Sequence, residues 1–160
     1  MENLLNKNSV KRVKEFIEKF DPQLNVIVLE TTARTAQDAA NSLHCEVGAI
    51  VKSLLIRTNE LFVLCLISGD KKCSLNKLKK IIKKKDVSMA NPDEVKNQTG
   101  YTIGGVSPVG HINTFDIFID NTLKRFSKIY AAAGHPNCVF EINFENLTKI
   151  TSGKVIDVVE

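Results

Sequence analysis

The chain has 160 residues, a length typical of one domain, and its 43% hydrophobic and 25% charged residues form an ordinary globular mixture. The longest apolar run, residues 61–67, is too short to cross a membrane, and charges interrupt the N-terminal segment too often for a signal peptide. The sequence lacks CxxC, zinc-type Cys/His, GxxxxGK[ST] and GxGxxG patterns. We therefore expect a cytoplasmic protein with reduced cysteines, no metal, no cofactor and no membrane partner.

The charge is unevenly distributed along the chain. Lysine and arginine total 22 against 18 acidic residues, a net charge of +4, and eight of the lysines lie between Lys71 and Lys85 without any acid. The remainder carries 14 basic and 18 acidic residues. A basic stripe on one helix is typical of a polyanion-binding face, although a solvated helix face gives the same pattern.

Apolar periodicity predicts the elements in the first half of the chain. Residues 9–20 should form an amphipathic helix with Ser9 as its cap, followed by a buried strand at 26–29. Thr35 can cap a second helix that runs from Ala36 to about His44.

Strand and helix patterns alternate irregularly after that point. The predicted strands are residues 52–57 and 61–68, joined by a turn at 58–60 as a hairpin, then 87–89, 116–120, 128–133, 138–142 and 155–159. The predicted helices are residues 74–85, one that starts at Pro92 with Asn91 as its cap, and 143–147. This order predicts a mixed α/β (α+β) single domain, residues 1–160, with a curled mixed sheet or partly open barrel and flanking helices.

Lys52 is the first residue that could carry chemistry, because it heads an otherwise apolar strand. A lysine with a buried stem can bind a phosphate or polarise a carbonyl group. The alternative is a strand-end lysine whose ammonium reaches solvent.

Two segments rich in small residues are further candidates. The loop at 100–111 holds four glycines and Pro108, so its main-chain N–H groups could approach a ligand closely, or it could be a tight connection. The run Ala131–Gly134 leaves room for a ligand and is followed by His135, a candidate proton shuttle or an exposed histidine without a role.

Taken in order, five segments resemble one family. They are TAQDAANSL at 35–43, IVKSLL at 50–55, VLCLISGD at 63–70, TGYTIGGVSPVG at 99–110 and AAAG at 131–134. Their order and spacing resemble the YbaK family of free-standing aminoacyl-tRNA deacylases, which is similar to the editing domain inserted in bacterial prolyl-tRNA synthetases. The resemblance covers about residues 10–158.

The resemblance implies a trans-editing hydrolase that cleaves the ester between a wrongly attached amino acid and the 3′-terminal ribose of a tRNA. It also implies the family's curled mixed sheet. The expected partners are aminoacyl-tRNA and, as a further candidate, an aminoacyl-tRNA synthetase. The expected acyl groups are Ala, Ser, Thr or Cys, with tRNA(Pro) as the first candidate tRNA.

The resemblance also implies site residues. The family's essential lysine matches Lys52, and His135-Pro136 is similar to a pair in members that remove alanine from tRNA(Pro), so we expect Lys52 and His135 to be catalytic. The expected pocket residues are Thr32, Arg34, Gly104, Gly105, Val106, Ser107, Pro108 and Gly134. The expected contacts to the tRNA backbone are Lys79, Lys80, Lys83 and Lys84.

The sequence departs from the family pattern at two positions, and two functions other than deacylation stay open. The branch that acts on Cys-tRNA(Pro) usually has Gly-Arg after the small-residue run, whereas Gly134 is followed here by His135, and Arg34 stands where many relatives have a small residue. The alternatives to a deacylase are a non-catalytic module that binds tRNA or a synthetase, and a hydrolase of small molecules.

Overall fold

The computed structural model describes residues 3–31, 33–59 and 61–160. Eight strands form one mixed sheet in this part of the chain. They are β1 (Val26–Val28), β2 (Ile50–Thr58), β3 (Phe62–Ser68), β4 (Val87–Met89), β5 (Asp116–Asp120), β6 (Ile129–His135), β7 (Cys138–Ile142) and β8 (Lys154–Ile156).

Of the described α-helices, the first precedes the strands and has no side-chain cap, and the other four lie between strands and each begin at a side-chain cap. The helices are α1 (Asn8–Phe20), α2 (Ala36–Leu43), α3 (Leu75–Ile82), α4 (Pro92–Thr99) and α5 (Phe144–Thr151). Thr35 caps α2, and Asn91 caps α4 in a full capping box with Glu94. Short 3-10 helices occupy Leu4–Asn6, Val47–Ala49 and Asn121–Arg125. None of the described helices has the length and apolar character needed to span a bilayer.

The sheet runs in the order β1-β7-β6-β2-β3-β5-β8, and β4 branches from β2. The β2–β3, β2–β4, β1–β7 and β6–β7 pairs are antiparallel, while β2–β6, β3–β5 and β5–β8 are parallel. The predicted mixed sheet with flanking helices and the predicted β2–β3 hairpin are therefore confirmed.

The alternation along β2 places its side chains in different cores, because successive residues of a strand point to opposite faces. Val51 and Leu55 join the core cluster that includes Val10 and Val13 of α1. Ile56 belongs to a second cluster with Leu78 of α3. Consequently the two faces of β2 contribute to two different cores, one shared with α1 and the other with α3.

Some predicted boundaries differ from the structure. Ser9 does not cap α1, which begins at Asn8; instead its hydroxyl donates to the carbonyl oxygen of Gly134, 2.8 Å away. The helix α3 ends at Ile82 rather than at residue 85, because Lys83 adopts the left-handed conformation with φ +57°. The helix α5 extends to Thr151, and β8 is shorter than predicted.

Candidate functional site

A cavity of about 340 Å³ lies along one edge of β2. The segment that begins α2 forms one wall with Arg34 and Ala36. The loop at residues 100–111, which we call the glycine loop, forms another with Ile103, Gly104 and Val106. Most of the lining is apolar, so a ligand that enters it loses water and meets few side-chain hydrogen-bonding groups.

The cavity exists because two strands share the same edge of β2. The strand β6 pairs with β2 at Ile50 and Val51 only, and β4 pairs with it from Ile56 to Thr58. Between these pairings, no strand of the described part of the chain pairs with residues 52–55 on that edge, and all four of these residues line the cavity. A strand edge left open in this way presents main-chain donors and acceptors to whatever occupies the space.

Lys52 lines the cavity, and its ammonium is already engaged. Its Nζ donates to the carbonyl oxygen of Lys71 at 2.5 Å. Burial lowers the pKa of Lys52, while Asp70, Cys73 and Asp120 oppose that shift. An ammonium has three donors, so the bond to Lys71 leaves further donors for a substrate.

The glycine loop and the end of β6 are joined by main-chain contacts. The N–H of Gly134 donates to the carbonyl oxygen of Gly105 at 3.0 Å. A Cβ on Gly105 would lie 2.8 Å from the nitrogen of His135, so the close approach of the two segments requires a glycine.

Gly134 also ties this end of β6 to α1. Its φ is +89°, and a Cβ on it would meet the carbonyl oxygen of Ser9 at 2.5 Å. The Ser9 hydroxyl donates to the Gly134 carbonyl, as described above. The small-residue run of β6 therefore ends in a fixed junction of α1, β6 and the glycine loop.

The structure divides the predicted pocket residues into two groups. Arg34, Lys52, Gly104 and Val106 line the cavity. Gly105 and Gly134 are not in its lining; they form the junction behind it. Thr32 lies outside the described residues.

Ser107 and Pro108 were expected to line the pocket, but they do not line the cavity, because the loop turns away from it after Val106. Ser107 is fully buried, and its carbonyl oxygen lies 2.6 Å from Nε2 of His111. Pro108 lines a separate groove that also contains His111 and Phe16 of α1. These two residues support the loop rather than the cavity wall.

His135 is likewise absent from the cavity lining, although its neighbour Pro136 is part of it. The Nδ1 atom of His135 accepts the N–H of Asn137 at 3.0 Å, within the turn between β6 and β7. Pro136 packs near Gly104, since a Cβ added to Gly104 would lie 3.3 Å from the Cγ atom of Pro136. In this conformation His135 shapes the turn that places Pro136 in the wall.

The four lysines expected to contact tRNA lie on α3 and just after it, and none lines the cavity. Lys80 and Lys83 are exposed, whereas Lys79 and Lys84 are half-buried. Two other lysines of the basic segment have acidic partners from the C-terminal residues: Lys77 lies 3.0 Å from Asp157 and Lys72 lies 3.9 Å from Glu160. The basic face is therefore partly neutralised by residues distant in sequence.

Several lining residues were not expected from the sequence. Ser53 follows Lys52, and the sequence signal for it was a lone small polar residue in an apolar strand. Met89 and Ile103 line the cavity with 48% and 59% of their surface exposed, so both stand at its mouth. Their positions depend on where β4 and the glycine loop end against β2, which the sequence pattern does not define.

Within residues 3–31, 33–59 and 61–160, no group of three or more His, Cys, Asp or Glu side chains is placed to hold a metal ion. The polar side chains that line the cavity are Lys52, Arg34, Thr35, Ser53 and Tyr130, and main-chain groups add to them.

Comparison with known proteins places this architecture in a family. The sequence model of the aminoacyl-tRNA editing domain matches residues 30–150. YwhH of Bacillus subtilis, an uncharacterised protein, is 32% identical over 152 residues that cover 94% of this chain and 96% of YwhH. EbsC of Enterococcus faecalis, named as a proposed Cys-tRNA(Pro)/Cys-tRNA(Cys) deacylase, is 30% identical over 78% of this chain and 76% of its own length.

Longer proteins and a solved structure extend the comparison. Proline--tRNA ligase of Caldicellulosiruptor saccharolyticus is 25% identical over 93% of this chain, which spans 24% of the ligase. The crystal structure of a proposed trans-editing enzyme for prolyl-tRNA synthetase superposes with a TM-score of 0.91 at 34% identity, covering 96% of this chain and 98% of that one. The YbaK-type resemblance drawn from the motifs is confirmed, and the chain belongs to the aminoacyl-tRNA editing domain family.

Proposed function

We propose that this protein is a trans-editing aminoacyl-tRNA deacylase that hydrolyses the ester of a tRNA carrying a wrongly attached small amino acid. The observation that carries the proposal is the cavity of about 340 Å³ in a fold of the aminoacyl-tRNA editing family. Its lining is mostly apolar, and its polar side chains are Lys52, Arg34 and the hydroxyl-bearing Thr35, Ser53 and Tyr130. We propose alanine, serine, threonine or cysteine as the acyl group and tRNA(Pro) as the first candidate tRNA.

The chemistry needs positioning and charge stabilisation more than a strong nucleophile, because an aminoacyl ester is already activated. Water supplies a hydroxyl to the acyl carbon and a proton to the departing 3′ oxygen of the ribose. In this proposal the Lys52 ammonium binds the terminal nucleotide or the ester carbonyl with its free donors. The neighbouring ribose hydroxyl assists the transfer of the proton.

The wall of the cavity supports selection by size. Ala33, Ala36, Ala39 and Ala132 all line it and leave room for a small side chain, and we propose that the main chain behind them sets the limit on larger ones. A cavity of this kind discriminates one methylene group poorly. We therefore propose a set of small acyl groups, in which cysteine has the support of the similarity to EbsC.

The tRNA is proposed to bind from outside the cavity. The positive charge on and after α3 comes from Lys79, Lys80, Lys83 and Lys84, and this segment leads directly into β4 and Met89 at the cavity mouth.

A synthetase that holds the same tRNA is a further proposed partner, and the cytoplasm, where tRNA is charged, is the proposed location. His135 is proposed to position the wall through Pro136.

The experiment is a deacylation panel. Ala-, Ser-, Thr- and Cys-tRNA(Pro) are incubated with the protein, and the rate of ester loss is compared with the rate without protein and with correctly charged Pro-tRNA(Pro). Faster loss of at least one small acyl group, with Pro-tRNA(Pro) spared, supports the proposal. Binding of tRNA without hydrolysis of any of the four contradicts it and favours the non-catalytic binding module.

A further inference from the structure

The open edge of β2 presents the main chain of Ser53 to the cavity. In a strand the N–H and C=O of one residue face the same edge, and successive residues alternate. The carbonyl oxygen of Leu55 accepts the N–H of Ala90 on this edge, whereas that of Ile50 accepts Gly69 on the opposite edge. Ser53 therefore faces the same way as Leu55, toward the cavity.

The neighbouring strands do not reach Ser53. The last β2–β6 pair is Val51 with Ala131, and β4 begins to pair at Ile56. Among the described residues, neither β4 nor β6 supplies a ladder partner to Ser53 on this edge. Main-chain groups left in a partly buried space without a partner are uncommon, and a ligand that pairs with them gains two hydrogen bonds.

An aminoacyl group has the complementary pattern. Its α-ammonium donates hydrogen bonds and its carbonyl oxygen accepts them, and both belong to one residue, as the N–H and C=O of a strand residue do. In an antiparallel ladder, two opposed residues exchange two such bonds. The substrate thus matches a missing strand residue opposite Ser53.

We propose that the aminoacyl group binds as a one-residue strand on Ser53, its α-ammonium donating to the Ser53 carbonyl oxygen and its carbonyl accepting from the Ser53 N–H. This inference rests on the proposed function and adds a positioning element to it. The two bonds use atoms that all amino acids share, so selection among substrates is left to the size of the cavity. The same N–H faces the oxygen that becomes negatively charged when water adds to the carbonyl carbon.

The test uses two stable adenosine amides and requires no turnover. The probe 3′-deoxy-3′-(alanylamino)adenosine has both groups, and its isobutyrylamino analogue replaces the ammonium with a methyl group of similar size. Binding is measured by titration, and main-chain amides are followed by NMR. We expect the isobutyryl analogue to bind at least about tenfold more weakly, because a charge-assisted hydrogen bond is lost.

The amide spectra separate a specific contact from general burial. The Ser53 amide should shift downfield and exchange at least about tenfold more slowly on binding of the alanyl probe. The amide of Lys52, which faces β3, should change little and serves as the internal control. Equal affinity of the two probes, or an unchanged Ser53 amide, overturns the inference.

The outcome also distinguishes this inference from the proposed function. If the alanyl probe binds with the Ser53 signature but no mischarged tRNA is hydrolysed, the inference stands and the deacylase proposal fails. If mischarged tRNA is hydrolysed and the Ser53 amide stays unchanged, the deacylase stands and this inference fails. A wild-type protein that binds neither probe overturns the inference.

Discussion

The N–H of Gly134 donates a hydrogen bond to the carbonyl oxygen of Gly105, and this 3.0 Å contact joins two segments that lie 29 residues apart. It fixes the end of β6 against the glycine loop, directly behind the wall that Gly104 and Pro136 form. The shape of the candidate site therefore depends on a main-chain contact that no side chain can replace.

Gly134→Ala should destabilise the protein and distort the cavity. The added Cβ would lie 2.5 Å from the Ser9 carbonyl oxygen, and φ at this position is +89°. We expect a loss of about 2 kcal/mol or more in the free energy of unfolding, measured by urea denaturation. Ile103→Ala, at an exposed position of the neighbouring loop, is the matched control and should change stability little. Equal stability of Gly134→Ala and the wild type would show that the junction is not rigid.

Sequence patterns predicted the local parts of this fold well. Thr35 and Asn91 were recognised as caps because capping depends on residues within one turn. Lys52 was recognised because a single lysine stands out in an apolar strand. The open edge beside Ser53 was not predictable, because it arises where two distant strands separate along β2. The same limitation applies to Ser107, because its contact with His111 forms only after the loop turns away from the cavity.

His111 should make stability depend on pH in the mildly acidic range. Burial lowers its pKa below the ordinary value of 6.5, with Arg12 nearby adding to the shift and the hydrogen bond to Ser107 opposing it. The neutral ring is favoured in the folded state, so the stability it contributes is present above about pH 6.5 and is lost as the pH falls through the folded-state pKa.

The measurement is the thermal midpoint of wild type and His111→Gln between about pH 7 and about pH 5. The wild type should lose stability more steeply than the variant, by at most about 1.4 kcal/mol per pH unit for one proton. Parallel curves for the two proteins would refute the role of His111.

The size of the acyl group should be limited by the space that the small residues of the wall leave. Ala132→Val adds two methyl groups to a strand position that lines the cavity, and a β-branched residue is tolerated in a strand. We expect kcat/KM for Thr-tRNA to fall at least about tenfold more than that for Ala-tRNA, because only the larger group meets the added methyls. An equal fall for both substrates would indicate a general distortion rather than a size filter.

The basic segment should contribute to tRNA affinity through charge alone. Replacing Lys79, Lys80, Lys83 and Lys84 with glutamine should weaken tRNA binding and reduce the slope of log Kd against log salt by about 2 to 4. The matched control replaces four exposed lysines elsewhere, Lys11, Lys14, Lys19 and Lys128. Unchanged tRNA affinity in the first variant, or an equal loss of affinity in the control, would show that these four lysines do not form a specific tRNA-binding face.

In the proposed function, the ester of a mischarged tRNA is hydrolysed in the cavity that Lys52 lines. The most direct test is the single-turnover rate of deacylation by wild type, Lys52→Ala and Lys52→Arg, with circular dichroism to verify that each variant folds. We predict a fall of at least about a hundredfold for Lys52→Ala, because the fixed charge at the site is lost, and partial activity for Lys52→Arg. A folded Lys52→Ala variant that deacylates at the wild-type rate would contradict the claim.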